Sequence, residues 1–161
     1  MLNLLRHYKA SPASLLSSSL YDEQTFYKAF IKDLKYCQEE IIIESPFMTA
    51  RRVNMLLPVV KKLVKHGVRV TINTRHPKYH DKSLIAQAWV AMESLKSIGV
   101  SVRLFNDLRH RKVAVIDNRI LWEGSLNILS QHNSREIMRR IESEELIKQV
   151  VRFLQLKLFY Y

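Results

Sequence analysis

Apolar side chains recur along this chain with two alternating periods. Four segments carry them at helical spacing, at residues 21–39, 53–66, 83–99 and 143–158. Short apolar runs between these segments predict strands at residues 41–43, 68–73, 100–105, 112–116, 119–122 and 136–141. The alternation predicts an α/β fold, with a mixed, largely parallel sheet that has helices on both faces.

Glycine, serine and proline mark the predicted ends of these elements. Gly67 and Gly99 follow helical segments, where a residue without a Cβ most often ends a helix. Ser83 and Ser143 precede helical segments and are expected to cap them. Pro58 interrupts the second helix, so either the helix kinks there or its regular part begins near that residue.

We expect one catalytic domain over residues 21–161, preceded by an N-terminal arm over residues 1–20. The chain of 161 residues can bury a sizeable core, and 47% of them are apolar. The arm combines leucines, basic residues and a serine-rich tract, so we expect it to be loosely ordered or to contact a partner chain. No stretch approaches the roughly 20 apolar residues that cross a bilayer, which predicts no stable membrane insertion.

The net charge of the chain indicates the class of partner, and its cysteine content indicates the compartment. Lysine and arginine number 26 against 15 acidic residues, a net charge of +11. This excess favours a polyanion, because each neutralised phosphate releases condensed counterions, although some basic proteins carry such charge only for solubility. The single cysteine, Cys37, excludes an intrachain disulfide and predicts a reducing, cytoplasmic setting. Because it falls in the first predicted helix, we expect a buried, unreactive thiol.

One polar stretch has the composition of a phosphoryl-transfer site. In chain order its residues are His110, Lys112, Asp117, Gly124, Ser125 and Asn127. One residue separates the histidine from the lysine, four separate the lysine from the aspartate, and six separate the aspartate from the glycine. Strand alternation predicts that His110 and Lys112 project to the same side. A phosphate held between Lys112 and Asn127 would have its oxygens neutralised as charge develops in the transition state. His110 could attack phosphorus or protonate the leaving oxygen, since imidazole titrates near neutral pH.

Each of these residues taken alone has an ordinary structural explanation; Asp117 and Asn118, for example, could simply form a hairpin turn. Together, however, their spacing resembles the HKD motif of the phospholipase D superfamily. The resemblance covers about residues 21–159, and it implies that Glu136 is the glutamate that contacts the catalytic histidine. The catalytic set implied by the resemblance is His110, Lys112, Asn127, Glu136, Ser125 and Asp117.

Large members of this superfamily carry two copies of the motif, whereas this chain carries one. The resemblance therefore implies a symmetric homodimer in which the two copies of His110 face each other. One histidine would attack phosphorus to form a phosphohistidine, and the other would protonate the leaving oxygen and then activate water. Such chemistry needs neither a metal ion nor another cofactor.

Basic residues near the motif are expected to contact the phosphate backbone of a substrate; they are Arg109, Arg111, Arg75, Lys78 and Arg135. His76 and His80 have the spacing of a metal-ligand pair, but the proline between them and the lack of further ligands argue against zinc. Trp89 and Trp122 are expected to pack in the core rather than to stack on bases.

Three function classes remain open. The first, which we favour, is a metal-independent nuclease that acts on DNA rather than RNA. The second is a phospholipid phosphodiesterase, which would need an apolar acyl pocket or an interfacial helix. The third is a nucleic-acid-binding module with little activity, because residues 124–130 resemble domains that accompany helicases in bacterial defence or repair. A helicase or another ATPase is therefore a candidate partner.

Overall fold

The computed structural model describes residues 17–156, which form seven strands and four helices. The strands are β1 (Ser18–Asp22), β2 (Glu40–Glu44), β3 (Arg69–Arg75), β4 (Ser101–Phe105), β5 (Val113–Ile116), β6 (Ile120–Gly124) and β7 (Ile137–Glu142). The helices are α1 (Phe26–Lys35), α2 (Ala50–Lys65), α3 (Lys82–Lys96) and α4 (Glu144–Phe153), with a short 3₁₀ turn at Pro77–Tyr79. None of the helices in this range is long and apolar enough to span a membrane.

All seven strands form one sheet, in the order β1-β7-β6-β5-β2-β3-β4. β2 pairs in parallel with β3, and β3 with β4, whereas the other four pairings are antiparallel. The predicted mixed α/β fold is confirmed, but its parallel part is smaller than expected. Parallel pairing needs a long crossover, which α2 and α3 supply. β5, β6 and β7 follow one another without an intervening helix, so they pair antiparallel.

Helices cover both faces of the sheet, as predicted, but unequally. Ile41 and Ile43 of β2 face the larger core, which they share with α1, α2 and α3. Ile42, between them, faces a smaller core with β5 and α4. The two-residue period of a strand produces this division and makes β2 apolar on both faces. Trp122 of β6 is fully buried against aromatic rings of α1, which confirms its predicted place in the core.

A tight hairpin joins β5 to β6 through Asp117 and Asn118, as the sequence predicts. Both residues have a φ of 50°, the left-handed conformation that suits a two-residue hairpin turn. The Asp117 carboxylate accepts hydrogen bonds at 2.8 to 3.0 Å from the backbone N–H groups of residues 38–40. Burial would raise the pKa of Asp117, but its hydrogen bonds outweigh burial and lower the pKa. The hairpin is therefore anchored to the chain that enters β2.

The Cys37 thiol also donates a hydrogen bond to the Asp117 carboxylate, at 3.1 Å. Cys37 is buried, as predicted, but it follows α1 rather than lying within the helix. Burial raises the pKa of the thiol, and the neighbouring Asp117 raises it further. A thiol in this setting remains protonated at neutral pH and is a poor nucleophile.

Two helices begin at residues other than those predicted. α1 begins at Phe26 instead of residue 21, because residues 18–22 pair with β7 as strand β1. Residues 18–20, predicted to belong to the N-terminal arm, are thus part of the sheet, and residues 1–16 lie outside the described range. α3 begins at Lys82 with Asp81 as its N-cap, which places Ser83 inside the helix.

Other boundaries of the helices follow local chemistry that the sequence contains. α2 begins at Ala50, where the Thr49 hydroxyl accepts a hydrogen bond from a first-turn N–H, and it continues through Pro58 as one helix. Gly67 ends α2 with a φ of 86°, as predicted. The Ser143 hydroxyl caps α4, as predicted, but the helix ends at Phe153 rather than near residue 158.

Replacing Asp117 by alanine should lower the free energy of unfolding by about 2–3 kcal/mol, because three backbone amides and one thiol lose their acceptor. Asn118→Ala is the matched control. Asn118 shares the φ of 50°, but its side-chain oxygen has no hydrogen-bond partner within residues 17–156. Urea denaturation of both variants separates the strain of the turn from the lost hydrogen bonds, and equal losses would contradict the anchoring role of Asp117.

Candidate active site

His110 and Lys112 lie in the irregular segment that leads into β5, which begins at Val113 rather than at residue 112 as predicted. The Lys112 Nζ donates to the backbone oxygen of His110 at 2.9 Å and also contacts Nδ1 of the imidazole ring. The two side chains therefore come together, as strand alternation predicts. The His110 ring also packs against the Phe47 ring, with 5.9 Å between the ring centroids and 74° between the ring planes.

The surroundings of His110 favour its neutral form. Burial lowers the pKa of His110 below its ordinary value, and the positive charges of Lys112 and Arg75 lower it further. Burial also lowers the pKa of Lys112, which the carboxylate of Glu136 partly offsets. A neutral imidazole keeps a lone pair for attack on phosphorus, while the adjacent cation can attract the phosphoryl oxygens.

The loop after β6 supplies the remaining polar groups of the motif. A Cβ on Gly124 would lie 2.1 Å from the backbone oxygen of Ile137, so only glycine fits there. The Ser125 N–H donates to that same oxygen at 2.9 Å, and the Ser125 hydroxyl accepts from the Ile137 N–H at 3.1 Å. Ser125 therefore fixes the start of the loop against the start of β7.

Glu136 is held by two serines rather than by the histidine. Its carboxylate accepts hydrogen bonds from the hydroxyls of Ser125 and Ser134, the latter at 2.7 Å. Within residues 17–156 no carboxylate forms a hydrogen bond with the His110 ring. The contact between Glu136 and His110 that the resemblance implies is therefore absent from the single described chain.

Asn127 holds a turn with its backbone, whose oxygen accepts hydrogen bonds from the N–H groups of Ser130 and Gln131 at 3.0 and 2.8 Å. Its side-chain oxygen is buried and has no hydrogen-bond partner among residues 17–156. Because an amide oxygen only accepts hydrogen bonds, a phosphoryl oxygen could be bound by this side chain only through its NH₂ group.

Asp117, a member of the predicted catalytic set, lies away from His110. It follows β5, whereas His110 precedes this strand, so the two residues lie beyond opposite ends of β5. The carboxylate of Asp117 is occupied by the backbone that enters β2. Its part in the motif is structural, because it anchors the hairpin that follows the strand.

Three of the five arginines and lysines predicted to bind substrate make ion pairs inside the chain. Arg109 pairs with Asp107 at 2.7 Å and with the buried Glu44 at 3.5 Å. Arg111 lies 3.8 Å from the same carboxylate. Arg135, although highly exposed, pairs with Glu23 at 2.8 Å.

Arg75 and Lys78, the other two predicted contacts, do lie beside the site. The guanidinium of Arg75 lies over the rings of Phe47 and Tyr79, at 5.2 and 5.3 Å from their centroids. The Lys78 ammonium lies 4.9 Å from the centroid of Tyr79. Because Phe47 contacts His110, these cations and the half-exposed Tyr79 form a basic and aromatic surface next to His110.

Sequence reasoning missed Phe47, Glu44 and Ser134, and it misplaced Trp89. Phe47 carried no signal, because an aromatic residue after a strand is ordinarily part of a core. Glu44 did carry one, since a charge at the end of an otherwise apolar strand needs a partner when it is buried. Trp89 was predicted to be in the core, but it is 38% exposed and packs on His76, with ring centroids 5.6 Å apart.

The other histidine considered as a metal ligand is also part of this neighbourhood. His80 is buried and packs against Phe47, with ring centroids 5.1 Å apart. Burial lowers its pKa below the ordinary value. In the described part of the chain no three His, Cys, Asp or Glu side chains come together as a metal site would require.

An open groove of about 500 Å³ extends from His110 along the edge of the sheet. Its walls include Lys112, Gly124, Arg139 and two exposed apolar side chains, Leu20 and Ile137. The groove could admit a chain-like substrate, because it is open rather than enclosed.

Comparison with known families agrees with this geometry. The family model described as "Cardiolipin synthase, PLD-like domain" matches residues 30–156. This chain belongs to the phospholipase D superfamily. Membership in the superfamily supports a phosphodiesterase role. A comparison with curated protein sequences finds no match.

Solved structures share the superfamily fold with this chain. NucT from Helicobacter pylori aligns with a TM-score of 0.67 and 20% identity, over 86% of this chain and 92% of that chain. Nuc from Salmonella typhimurium, a phospholipase D family member, aligns with a TM-score of 0.68 and 17% identity over the same fractions. TrmBL2, an archaeal chromatin protein, aligns with a TM-score of 0.60 and 13% identity, over 86% of this chain and 50% of that chain. At these identities the likeness is one of fold.

Gly124→Ala should lower the free energy of unfolding by about 3 kcal/mol or more, because the added methyl group collides with backbone on β7. Gly67→Ala is the control, since its φ of 86° also disfavours alanine but no atom lies within 4 Å of the added Cβ. We expect it to cost about 1 kcal/mol. Thermal denaturation of both variants measures the difference, and similar losses would show that the approach of β6 to β7 is not tight.

Proposed function

We propose that this protein is a metal-independent phosphodiesterase that cleaves nucleic acid at a site shared by two subunits. The observation that carries the proposal is the pairing of His110 with Lys112 in surroundings that lower the pKa of the histidine. A neutral imidazole beside a fixed cation is suited to attack a phosphodiester, whose negative charge otherwise repels nucleophiles.

The proposed reaction has two steps at phosphorus. In the first, the imidazole of one His110 forms a nitrogen–phosphorus bond as the bond to the leaving oxygen breaks, and the second His110 protonates that oxygen. In the second step, the second histidine takes a proton from water as the water oxygen displaces the first imidazole. Lys112 and Asn127 stabilise the charge on the phosphoryl oxygens in both steps. A bound phosphate competes with His110 for Lys112, which frees the imidazole ring.

Two features of the described chain support a second subunit. Within residues 17–156 one histidine lies in the arrangement with Lys112, and the reaction needs a separate acid. The groove at His110 is flanked by Leu20 and Ile137, which are 62% and 52% exposed. Apolar side chains beside a catalytic group would be buried if a second copy of the chain closed over the site, as a twofold homodimer does.

Charge and surface chemistry favour nucleic acid as the substrate. The chain carries a net charge of +11, and Arg75 and Lys78 lie beside the site with the ring of Tyr79. Cations contact phosphates without regard to sequence, and an exposed aromatic ring can stack on a base. TrmBL2, which shares the fold, binds DNA according to the description of its structure. DNA is the substrate we propose; a helicase or other ATPase partner stays a prediction.

We expect the protein to cleave labelled DNA in excess EDTA, and His110→Ala should lower the rate at least about 1,000-fold because it removes the nucleophile. His66→Ala is the matched control, since His66 is exposed at the end of α2 and should leave the rate unchanged. The assay compares single- and double-stranded DNA and RNA with a phospholipid substrate. Cleavage of phospholipid alone would support the lipid alternative, and salt-dependent binding without cleavage the binding-module alternative.

The same preparation tests the shared site. A denaturing alkaline quench during turnover should trap the phosphohistidine, which is stable to base and labile to acid, with one phosphoryl group for every two chains. Sedimentation should give a dimer at the assay concentration. One phosphoryl group per chain, or an active monomer, would contradict a site shared by two subunits.

Lys78→Ala and Arg75→Ala should each weaken DNA binding and reduce the slope of log K against log salt concentration by about 1, because each removes one phosphate contact. The control is Lys35→Ala. Lys35 ends α1, before β2 begins, whereas the site lies beyond the other end of β2. Binding is measured with catalytically inactive His110→Ala protein over a series of salt concentrations. An unchanged slope for Lys78→Ala and Arg75→Ala would place the substrate elsewhere.

A further inference from the structure

Glu44 is a buried carboxylate that the proposed reaction does not use. It is the last residue of β2 and is 1% exposed. Burying an ionised carboxylate is costly unless charged or hydrogen-bonding partners surround it. Its Oε1 accepts a hydrogen bond from the Asn73 amide at 2.8 Å. Its remaining partners are two guanidinium groups, those of Arg109 at 3.5 Å and Arg111 at 3.8 Å.

Arg109 and Arg111 are the residues immediately before and after His110. In an extended segment, neighbouring side chains point to opposite sides. The two arginines thus reach the buried Glu44, while the imidazole between them points to Lys112 and Phe47. One carboxylate holds both neighbours of the catalytic histidine from the side opposite its ring.

Further contacts restrain both arginines. The Arg109 guanidinium makes two hydrogen bonds to Asp107, at 2.7 and 2.8 Å, and lies 3.3 Å from the ring centroid of Phe105. Arg111 donates to the backbone oxygen of Leu154, just after α4, at 3.1 Å. Arg109 is therefore fixed against the end of β4, and Arg111 against the end of α4.

This support matters because the segment that carries His110 is irregular. Residues 106–112 lie between β4 and β5 and belong to neither strand. Without strand hydrogen bonds, side-chain contacts must hold the backbone of such a segment in place. A displacement of a catalytic group by about 1 Å can lower a rate by roughly 100-fold.

We propose that Glu44 is a positioning residue for His110: through its ion pairs with Arg109 and Arg111 it holds the catalytic histidine in place and neutralises the two flanking charges. The claim that Glu44 affects catalysis rests on the proposed function. The claim that the surroundings of His110 depend on Glu44 is independent of that function.

The charges around His110 predict the direction in which its pKa should change when Glu44 is replaced. Lys112 and Arg75 face the ring, and Glu136 acts on Lys112. Behind the ring lie Arg109, Arg111, Glu44 and Asp107. If Glu44 loses its charge, two guanidinium groups remain with less compensation, which disfavours the imidazolium. Glu44→Gln should therefore lower the pKa of His110 further, and Arg111→Gln should raise it.

The experiment compares Glu44→Gln with Glu40→Gln in the full-length protein. Glu40 is the matched control, because it begins the same strand, is also buried and pairs with an arginine, Arg69, at 3.9 Å. NMR titration of the imidazole signals measures the pKa of His110, whose signal is identified by its loss in His110→Ala. Cleavage of DNA in EDTA is measured in parallel.

Glu44→Gln should shift the His110 titration to lower pH and reduce kcat about 10- to 100-fold with a smaller change in KM. Glu40→Gln should leave the titration in place and kcat unchanged, even if it lowers the melting temperature. An unmoved His110 titration in Glu44→Gln, or equal shifts in both variants, would overturn the inference. If the wild-type protein cleaves nothing, the proposed function fails, but the NMR comparison still decides the structural part.

Arg111→Gln keeps the inference testable if Glu44→Gln does not fold. Arg111 is partly exposed, so its replacement should destabilise the fold less than replacement of the buried Glu44. It should raise the pKa of His110 and lower kcat. If instead it alters only the salt dependence of DNA binding, Arg111 contacts the substrate, and Glu44 does not position the histidine through it.

Discussion

The antiparallel pairing of β2 with β5 is the constraint on which the rest of the structure depends. Its register places Glu44 opposite Val113 and Ile41 opposite Ile116. The carboxyl end of β2 and the amino end of β5 therefore meet at one edge of the sheet. Phe47, which follows β2, and His110, which precedes β5, come into ring contact at that edge. A site built from these two strand ends exists only if they pair in this register.

The same pairing is secured at its other edge by Asp117. The carboxylate of Asp117 binds three backbone amides just before β2, so the turn after β5 and the start of β2 are tied together. A slip by one residue would exchange the faces of β2 and break these bonds. The anchoring aspartate and the proposed catalytic histidine thus lie beyond opposite ends of one strand, β5.

Charged side chains lie on both sides of residues 106–112, the irregular segment that carries His110. On the ring side, Lys112 and Arg75 supply positive charge, and with burial they favour a neutral imidazole. On the opposite side, Glu44 offsets Arg109 and Arg111 within the fold. The groove itself is lined by Lys112, Arg111 and Arg139, of which Arg111 also pairs with Glu44. Glu136 is held by Ser125 and Ser134, which keeps its negative charge near Lys112 without a direct contact to the histidine.

The sequence by itself determined the type of every α-helix and strand except β1, together with the α/β class and the family. Hydrophobic periodicity identified the core strands because burial selects apolar residues at fixed periods, and turn chemistry placed the hairpin at Asp117 and Asn118. The spacing from His110 to Asn127 predicted the superfamily through its resemblance to the HKD motif. Local signals also located the helix ends at Gly67 and Ser143.

Only the tertiary structure decided the strand order, the small parallel part of the sheet and the partners of each charge. Strand β1 was missed, because its residues are exposed and pair with β7, far away in the sequence. The sequence grouped Arg109 and Arg111 with Arg75 and Lys78 as substrate contacts. The fold gives them different partners, since Arg109 and Arg111 reach the buried Glu44, and Arg111 also lines the groove at His110. An arginine beside the motif looks the same in the sequence whether it faces a substrate or a buried carboxylate. Its partner depends on which residues the fold brings within reach.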